Sequence, residues 1–282
     1  MDRVRLIPSG LPYHATLLVL VAASLLPFLW FVSLALRPLS ETYVIPMPLV
    51  PRSLTLQHFK DVFRYVPLMV LYYRNSFLIT GGAVAGVVAI SCLAGYFFAR
   101  LRAPGRDAIF WAVVLSMFIP PLTAVPALYE LLDRLHLLNT RTGLILVYIG
   151  WHLGMSTFIM RGVFAQVPRE MEEAARMDGA TDFRIFWQVM LPLVTGGLVV
   201  VAIFSFVPIW GEYIFAFTFT QTKEIMPMSV AIRFFEPSPA SGQYTLNVAS
   251  AAALFMFMPA IAIYVVLQKW FTKGLMEGAL KF

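Results

Sequence analysis

The chain has 282 residues, of which 60% are hydrophobic and only 13% charged, with a mean hydropathy of +0.78. A water-soluble domain carries about 25% charged residues, so this composition excludes an ordinary globule in water and makes lipid part of the solvent. The formal net charge of +6 would raise nucleic acid as a partner in a soluble protein; in a membrane protein it reads as Lys and Arg anchoring loops on the inner face.

Lipid leaves two options, helices or a closed barrel, because every backbone polar group must find an internal partner. A barrel alternates apolar and polar residues over roughly ten-residue segments. Here the apolar runs are continuous and roughly 20 residues long, which predicts an all-α membrane protein. In chain order they are Ala15–Leu36, Ser76–Phe98, Ile109–Tyr129, Gly143–Met160, Leu191–Trp210 and Val248–Leu267. The first run follows Arg3 and Arg5; it is too long for a signal-peptide core and lacks a small-residue cleavage site, so it reads as a retained span. Six spans place both termini on one side. With that side inside, the inner segments hold 12 of the 21 Lys and Arg: Arg3, Arg5, Arg100, Arg102, Arg106, Arg161, Arg169, Arg176, Arg184, Lys269, Lys273 and Lys281. The margin over the outer nine is thin, since Arg37, Arg52, Lys60, Arg64 and Arg74 crowd one outer stretch. The short Arg100–Arg106 turn and the lysine-bearing tail weigh more, because charge bias acts through short loops. Cys92 is the single cysteine, so no disulfide forms within the chain.

Between the spans lie three segments with their own pattern. Residues 38–75 carry Pro38, Pro46, Pro48 and Pro51, then turn amphipathic through Leu56, Phe59, Val62 and Phe63, predicting an irregular cap and a short interfacial helix. Pro126–Thr142 sets Leu128, Leu131, Leu132 and Leu135 opposite Glu130, Asp133 and Arg134, predicting an outer amphipathic helix. The third segment, 163–190, is charged. Pro168 suits a first helical position, and Glu170, Glu172 and Glu173 follow where the helix dipole favours acids. Met171, Ala174, Ala175 and Asp178 share a face, Gly179 sits at a left-handed cap position, and Thr181 with Asp182 beside it starts a second helix. Phe183, Phe186, Trp187 and Met190 give that helix an apolar face, and Pro192 opens the fifth span. The result is a helix–glycine elbow–helix module, suited either to sealing the bundle or to receiving another protein whose contact the flanking charges orient.

Glu173-Ala174-Ala175, three residues, Gly179, nine residues, then Val189-Met190-Leu191-Pro192 resembles the EAA loop of ABC-importer permease subunits. The fuller run from Glu172 to Ala180 is similar to the carbohydrate, MalG-like, binding-protein-dependent branch. Ile119-Pro120, Pro126-Ala127-Leu128-Tyr129, Leu138-Asn139-Thr140 and the terminal Gly274–Lys281 run agree with that branch, so the resemblance covers most of residues 75–282. Two positions depart: Val189 stands where isoleucine is usual, and Trp210-Gly211-Glu212 stands where Trp-Asn-Glu is usual.

The resemblance implies a single transmembrane permease domain, 1–282, with a core at 70–271, a cytoplasmic coupling loop at 163–190 and a cytoplasmic tail at 272–282. It implies a multi-pass protein of a bacterial or archaeal inner membrane, both termini cytoplasmic, forming half of the path for a sugar or sugar-like solute, or else for another small solute such as a polyol phosphate or peptide. Partners would be a second homologous permease, two ATPase subunits and an extracytoplasmic substrate-binding protein. Glu173, Ala174, Ala175, Asp178 and Gly179 would dock the ATPase, and Leu191 and Pro192 would link them to the fifth span. ATP and Mg would bind the ATPases, consistent with the lack of a G-x-x-x-x-G-K-[ST] phosphate loop and of Cys/His metal spacing here. A catalytic role for the chain itself is not expected.

For the substrate path the residues leave alternatives open. Intramembrane polar groups are functional candidates, and His152 is one, though it also suits a plain interhelical hydrogen bond. Asn75 and Ser76 open the second span and suit an interface marker. Trp210, Glu212 and Tyr213, with Phe215 and Phe217, combine aromatic faces with one carboxylate, as sugar sites do, yet equally suit an interfacial aromatic belt. A stand-alone secondary transporter would show an inverted repeat and buried charges; an intramembrane enzyme would need paired acids or a Ser/His pair. Neither pattern is visible.

Overall fold

A computed structural model describes residues 10–46, 48, 50–235 and 245–279; Arg3, Arg5, Lys281 and the end of the predicted tail lie outside them. Among the described residues every regular element is helical. In chain order the helices are α1 (Leu11–Leu36), α2 (Leu39–Thr42), α3 (Gln57–Tyr65), α4 (Met69–Arg100), α5 (Arg106–Leu115), α6 (Pro121–Arg134), α7 (Arg141–Gln166), α8 (Glu170–Met177), α9 (Asp182–Ile185), α10 (Leu191–Leu193), α11 (Thr195–Gly211), α12 (Ile214–Phe219), α13 (Met228–Ala231) and α14 (Leu246–Ala279).

Four helical segments are long and apolar enough to cross a bilayer as they stand: Pro12–Leu36, Met69–Arg100, Arg141–Gln166 and Leu246–Val266. Two further candidates are bent pairs. Arg106–Phe118 and Pro121–Arg134 meet at 107°, and Asp182–Leu193 and Thr195–Gly211 meet at 71°. The third predicted run, Ile109–Tyr129, is therefore not one straight helix, and the outer amphipathic helix begins at Pro121 rather than Pro126. The cause is Pro120-Pro121: a residue before proline is driven out of the α region, and Ile119 and Pro120 are both extended, with ψ of 121° and 138°.

The chain divides into two compact units, Met1–Pro67 with Ile232–Phe257, and Leu68–Ala231 with Met258–Phe282. In the first, buried Asn247 sets Nδ2, with its two hydrogens, within reach of Leu34 O (2.9 Å), Arg37 O (2.9 Å) and Thr42 Oγ1 (2.8 Å), tying the start of α14 to the exit of α1. His58 Nε2 donates to the same Arg37 carbonyl at 2.9 Å. Helix α3 is amphipathic as its sequence predicts, but the buried residues are His58 and Val62, while Leu56 caps the helix from outside and is exposed. Phe59 and Phe63 meet the Phe255 ring edge-on, at 5.6 and 5.3 Å between centroids.

The second unit is built on α4 and α7, with α11 laid against both. At 32 residues, α4 is about 48 Å long at 1.5 Å per residue, so it outruns an apolar layer of about 30 Å. Its core runs through Val87, Cys92 and Tyr96 of α4, Met160 and Phe164 of α7, and Val201 of α11. Ile185, Phe186, Met190 and Val194 continue the same cluster, so the end of the charged loop is anchored in the bundle core.

Candidate functional site

The loop 163–190 folds as a helix, an elbow and a second helix. Backbone bonds begin at Pro168, whose carbonyl accepts from Met171 N at 3.3 Å, and regular α8 starts at Glu170. Gly179 adopts φ +81°, the left-handed conformation that costs glycine nothing. Gly179 N donates to Arg176 O, and Ala180 N to Ala175 O, both at 3.0 Å, so two of the orphaned carbonyls of α8 are satisfied at the elbow. Thr181 caps α9, its Oγ1 accepting from Arg184 N at 3.4 Å. Across the elbow Arg176 Nη2 donates to Asp182 Oδ1 at 3.1 Å. That hydrogen bond holds Arg176 above the usual arginine range, though an exposed pair of this kind adds little stability.

Glu173, Ala174, Asp178 and Gly179 are exposed, as is Met177 at 88%. Ala175 differs from its predicted face-mates: it is half-buried and packs on the bundle core. The predicted apolar face of the second helix also divides. Phe186 and Met190 are buried with Ile185, whereas Phe183 (74%) and Trp187 (50%) stay exposed. One flank of the segment thus seals the bundle while the other presents large apolar side chains that stay exposed among the described residues.

The segment enters α11 through a widened turn. Phe186–Met190 is a π-helix, closed by Leu191 N donating to Phe186 O. Pro192 explains it: proline has no N–H and crowds the carbonyl four residues back, so the backbone widens before it and breaks after it at Val194. Thr195 Oγ1 donates to the freed Pro192 carbonyl at 3.0 Å. Leu191 is half-buried and Pro192 exposed.

Two charged residues give the loop a foundation that sequence reasoning missed. Arg100, the last residue of α4, counts in the sequence as a cytoplasmic-loop charge. Its side chain is buried: the guanidinium donates to Phe164 O at 2.6 Å and also to Val167 O, at the end of α7. Its Nε lies 3.1 Å from Glu172 Oε1 of α8, and the two side chains are 5% and 9% exposed. Breaking a buried pair by removing one partner costs about 3–5 kcal/mol.

At the far end of α11 the predicted substrate-path residues separate into different roles. Trp210 is buried, stacked on Phe206 at 5.6 Å and tilted against Phe77 at 4.8 Å. Tyr213 is exposed and stacks on Phe217 at 5.3 Å. Glu212 breaks the span and caps the next helix: Oε1 accepts from Phe215 N at 2.9 Å, and Oε2 accepts from Ala216 N at 3.0 Å and from Tyr148 Oη at 2.7 Å. Both carboxylate oxygens are thus engaged in holding α12 on α7. His152 is half-buried one turn along α7 from Tyr148, on the same stripe. Replacing Glu212 with alanine strips all three donors of their acceptor. The purified protein should then lose about 1–3 kcal/mol of stability, more than Glu212→Gln, as read by thermal unfolding in detergent. An alanine variant melting with the parent would remove Glu212 from this capping role.

Nearby polar residues pin the segment after α12. Asn139, at φ +55°, accepts on Oδ1 from Gln221 N (2.8 Å) and Thr222 N (3.1 Å). Asn75 Nδ2 donates to Glu224 O and Met226 O, both at 2.9 Å, while its Oδ1 accepts from Arg141 Nε at 2.9 Å. Ser76 Oγ accepts from Met228 N at 2.7 Å. Among the described residues no three His, Cys, Asp or Glu side chains gather as a metal site.

A family profile described as the inner membrane component of binding-protein-dependent transport systems matches residues 88–277, from mid-α4 through the elbow into α14. The chain belongs to this family of permeases. Among relatives of the permease, the trehalose transport system permease protein SugB of Mycobacterium tuberculosis (strain CDC 1551 / Oshkosh) is 34% identical over 272 residues, covering 95% of this chain and 97% of that protein. The galactooligosaccharides transport system permease protein GanQ of Bacillus subtilis (strain 168) is 31% identical over 257 residues, covering 90% and 89%. In fold, the permease is similar to a chain of a bacterial ABC transporter that imports the acidic polysaccharide alginate, with a TM-score of 0.81, 22% identity and 93% and 96% coverage.

Proposed function

We propose that this permease is one of two membrane subunits of an ATP-driven importer for a sugar, forming half of the translocation path. The observation that carries the substrate class is its likeness, along nearly the whole length of both chains, to a permease named for trehalose; the permease named for galactooligosaccharides supports the same class. In this reading each bent pair counts as one span, giving six, and the elbow and both termini face the cytoplasm. Glu173, Ala174, Ala175, Asp178 and Gly179 dock a partner ATPase, and Leu191 and Pro192 carry the movement into α11. The exposed Met177, Phe183 and Trp187 beside them support a protein contact. ATP and Mg bind on two ATPase subunits, a second permease completes the path, and an extracytoplasmic binding protein delivers the sugar. His152 and Tyr213 remain candidates for the path itself, while Trp210 and Glu212 shape its wall.

The test is reconstitution in vesicles. The permease alone should give no uptake of radiolabelled di- and oligosaccharides. With its partner permease, ATPases and binding protein it should give ATP-dependent uptake of one of them. Uptake by the lone chain, or a complete complex that moves no saccharide, would sink the proposal.

A further inference from the structure

The elbow module is joined to the helices covalently at both ends, through residues 167–169 from α7 and through Met190, Leu191 and the proline-broken turn into α11. A third connection, the one that brings in α4, is made by a side chain. Arg100 ends α4, Phe164 and Val167 end α7, and Glu172 lies in the first turn of α8. A single guanidinium reaches all three: it donates to the Phe164 and Val167 carbonyls and pairs with the Glu172 carboxylate at 3.1 Å.

Each end of this arrangement has a local reason. The last carbonyls of a helix have no intrahelical donor and carry the negative end of its dipole, so the end of α7 attracts a cation. An arginine presents several nitrogens in a rigid fork, so Nη2 donates to both carbonyls while Nε lies beside the carboxylate at ion-pair distance, without hydrogen-bond geometry, an arrangement a lysine does not reproduce. Glu172 sits on the inner side of α8, beside half-buried Ala175, while Glu173, Ala174 and Asp178 point outward. The two adjacent glutamates of the motif therefore face opposite ways, one toward the outer surface and one toward the bundle. A pair this buried is held to one geometry, because leaving either charge unpaired there is costly.

We propose that Arg100 and Glu172 are positioning residues that latch the coupling helix to the end of α4 and brace it on the end of α7, so that a displacement imposed on α8 reaches α4 directly as well as reaching α7 and α11 along the chain. The latch rests on the reading of the elbow as the ATPase-docking element. It makes the glutamate before the Glu-Ala-Ala run an internal transmission residue rather than part of the docking surface.

The test uses the complete transporter in vesicles, measuring three things on each variant: ATPase co-purification, ATP hydrolysis and saccharide uptake. Glu172→Gln keeps the shape and leaves Arg100 its carbonyl acceptors; Arg100→Lys keeps the charge and loses the fork. Both should retain the ATPases and continue to hydrolyse ATP, while saccharide moved per ATP falls roughly threefold or more. Combining Glu172→Gln with Arg100→Lys should be no worse than the more damaging single change, because both break one link. Uptake per ATP that matches the parent in both single variants would overturn the latch. So would uptake that falls only in proportion to the amount of assembled complex, which would make the pair a folding element. A parent permease that itself fails to co-purify with the ATPases would overturn the docking reading instead, and the latch with it.

Discussion

Replacing Gly179 with proline should abolish saccharide uptake while the assembled ATPases continue to hydrolyse ATP. The elbow depends on φ of +81° at this position; proline fixes φ near −65°, so the chain cannot turn there and α9 leaves in another direction. Proline also removes the N–H that Gly179 donates to Arg176 O at 3.0 Å. It further disfavours the conformation of the residue before it, and Asp178 sits at φ −77°, ψ 5° as the cap of α8. Alanine separates backbone from bulk. A Cβ at Gly179 would meet nothing within 4 Å, so Gly179→Ala carries only the left-handed penalty of about 1–2 kcal/mol and should keep most of the uptake. Parallel measurement of uptake and hydrolysis in vesicles decides the matter. A proline variant transporting like the parent would show that the elbow angle carries no coupling.

The elbow was legible because its chemistry is local. A left-handed cap wants glycine, a helix start wants Thr181, and an acidic first turn suits Glu170 to Glu173, all within a dozen residues of one another. The apolar runs were legible for the same reason, since length and hydropathy alone mark a span. What escaped was non-local. Arg100 and Glu172 are 72 positions apart, and nothing in the run Arg100, Arg102, Arg106 distinguishes the one arginine that turns inward. Tyr148 lies four residues before His152, the intramembrane polar group that did stand out, but its partner Glu212 could be identified only once α7 and α11 were placed together. Amphipathic spacing also gave one stripe where the fold uses two: Phe186 and Met190 seal the bundle, and Phe183 and Trp187, drawn from the same stripe, do not. The Ile119–Pro121 bend was written locally, in two consecutive prolines, yet an apolar run masks it because hydropathy does not register backbone direction.

Any side chain at Gly95 should push apart the two helices on which the second unit is built. A Cβ there would lie 2.5 Å from Met160 Cβ, 2.8 Å from Met160 C and 3.0 Å from Arg161 N. Two of those three atoms are backbone, so no rotamer change relieves the clash; α4 and α7 themselves must separate. Small residues permit this approach in membranes, where association rests on van der Waals packing rather than on exclusion of water. The separation would open the cluster of Cys92, Tyr96, Met160, Phe164 and Phe186, and overpacking of this kind costs about 1–3 kcal/mol. It would also move the end of α4 away from the Phe164 and Val167 carbonyls that hold Arg100, five residues on. Gly95→Ala should therefore lower the melting temperature of the purified protein in detergent, and Gly95→Leu should prevent it from accumulating in the membrane. Gly81→Ala, on the same helix but with nothing within 4 Å of the added atom, is the matched control and should melt with the parent. A Gly95→Ala protein as stable as that control would mean that α4 and α7 do not approach as closely as their backbones are placed. The foundation of the elbow would then have to lie elsewhere than at the paired ends of these two helices.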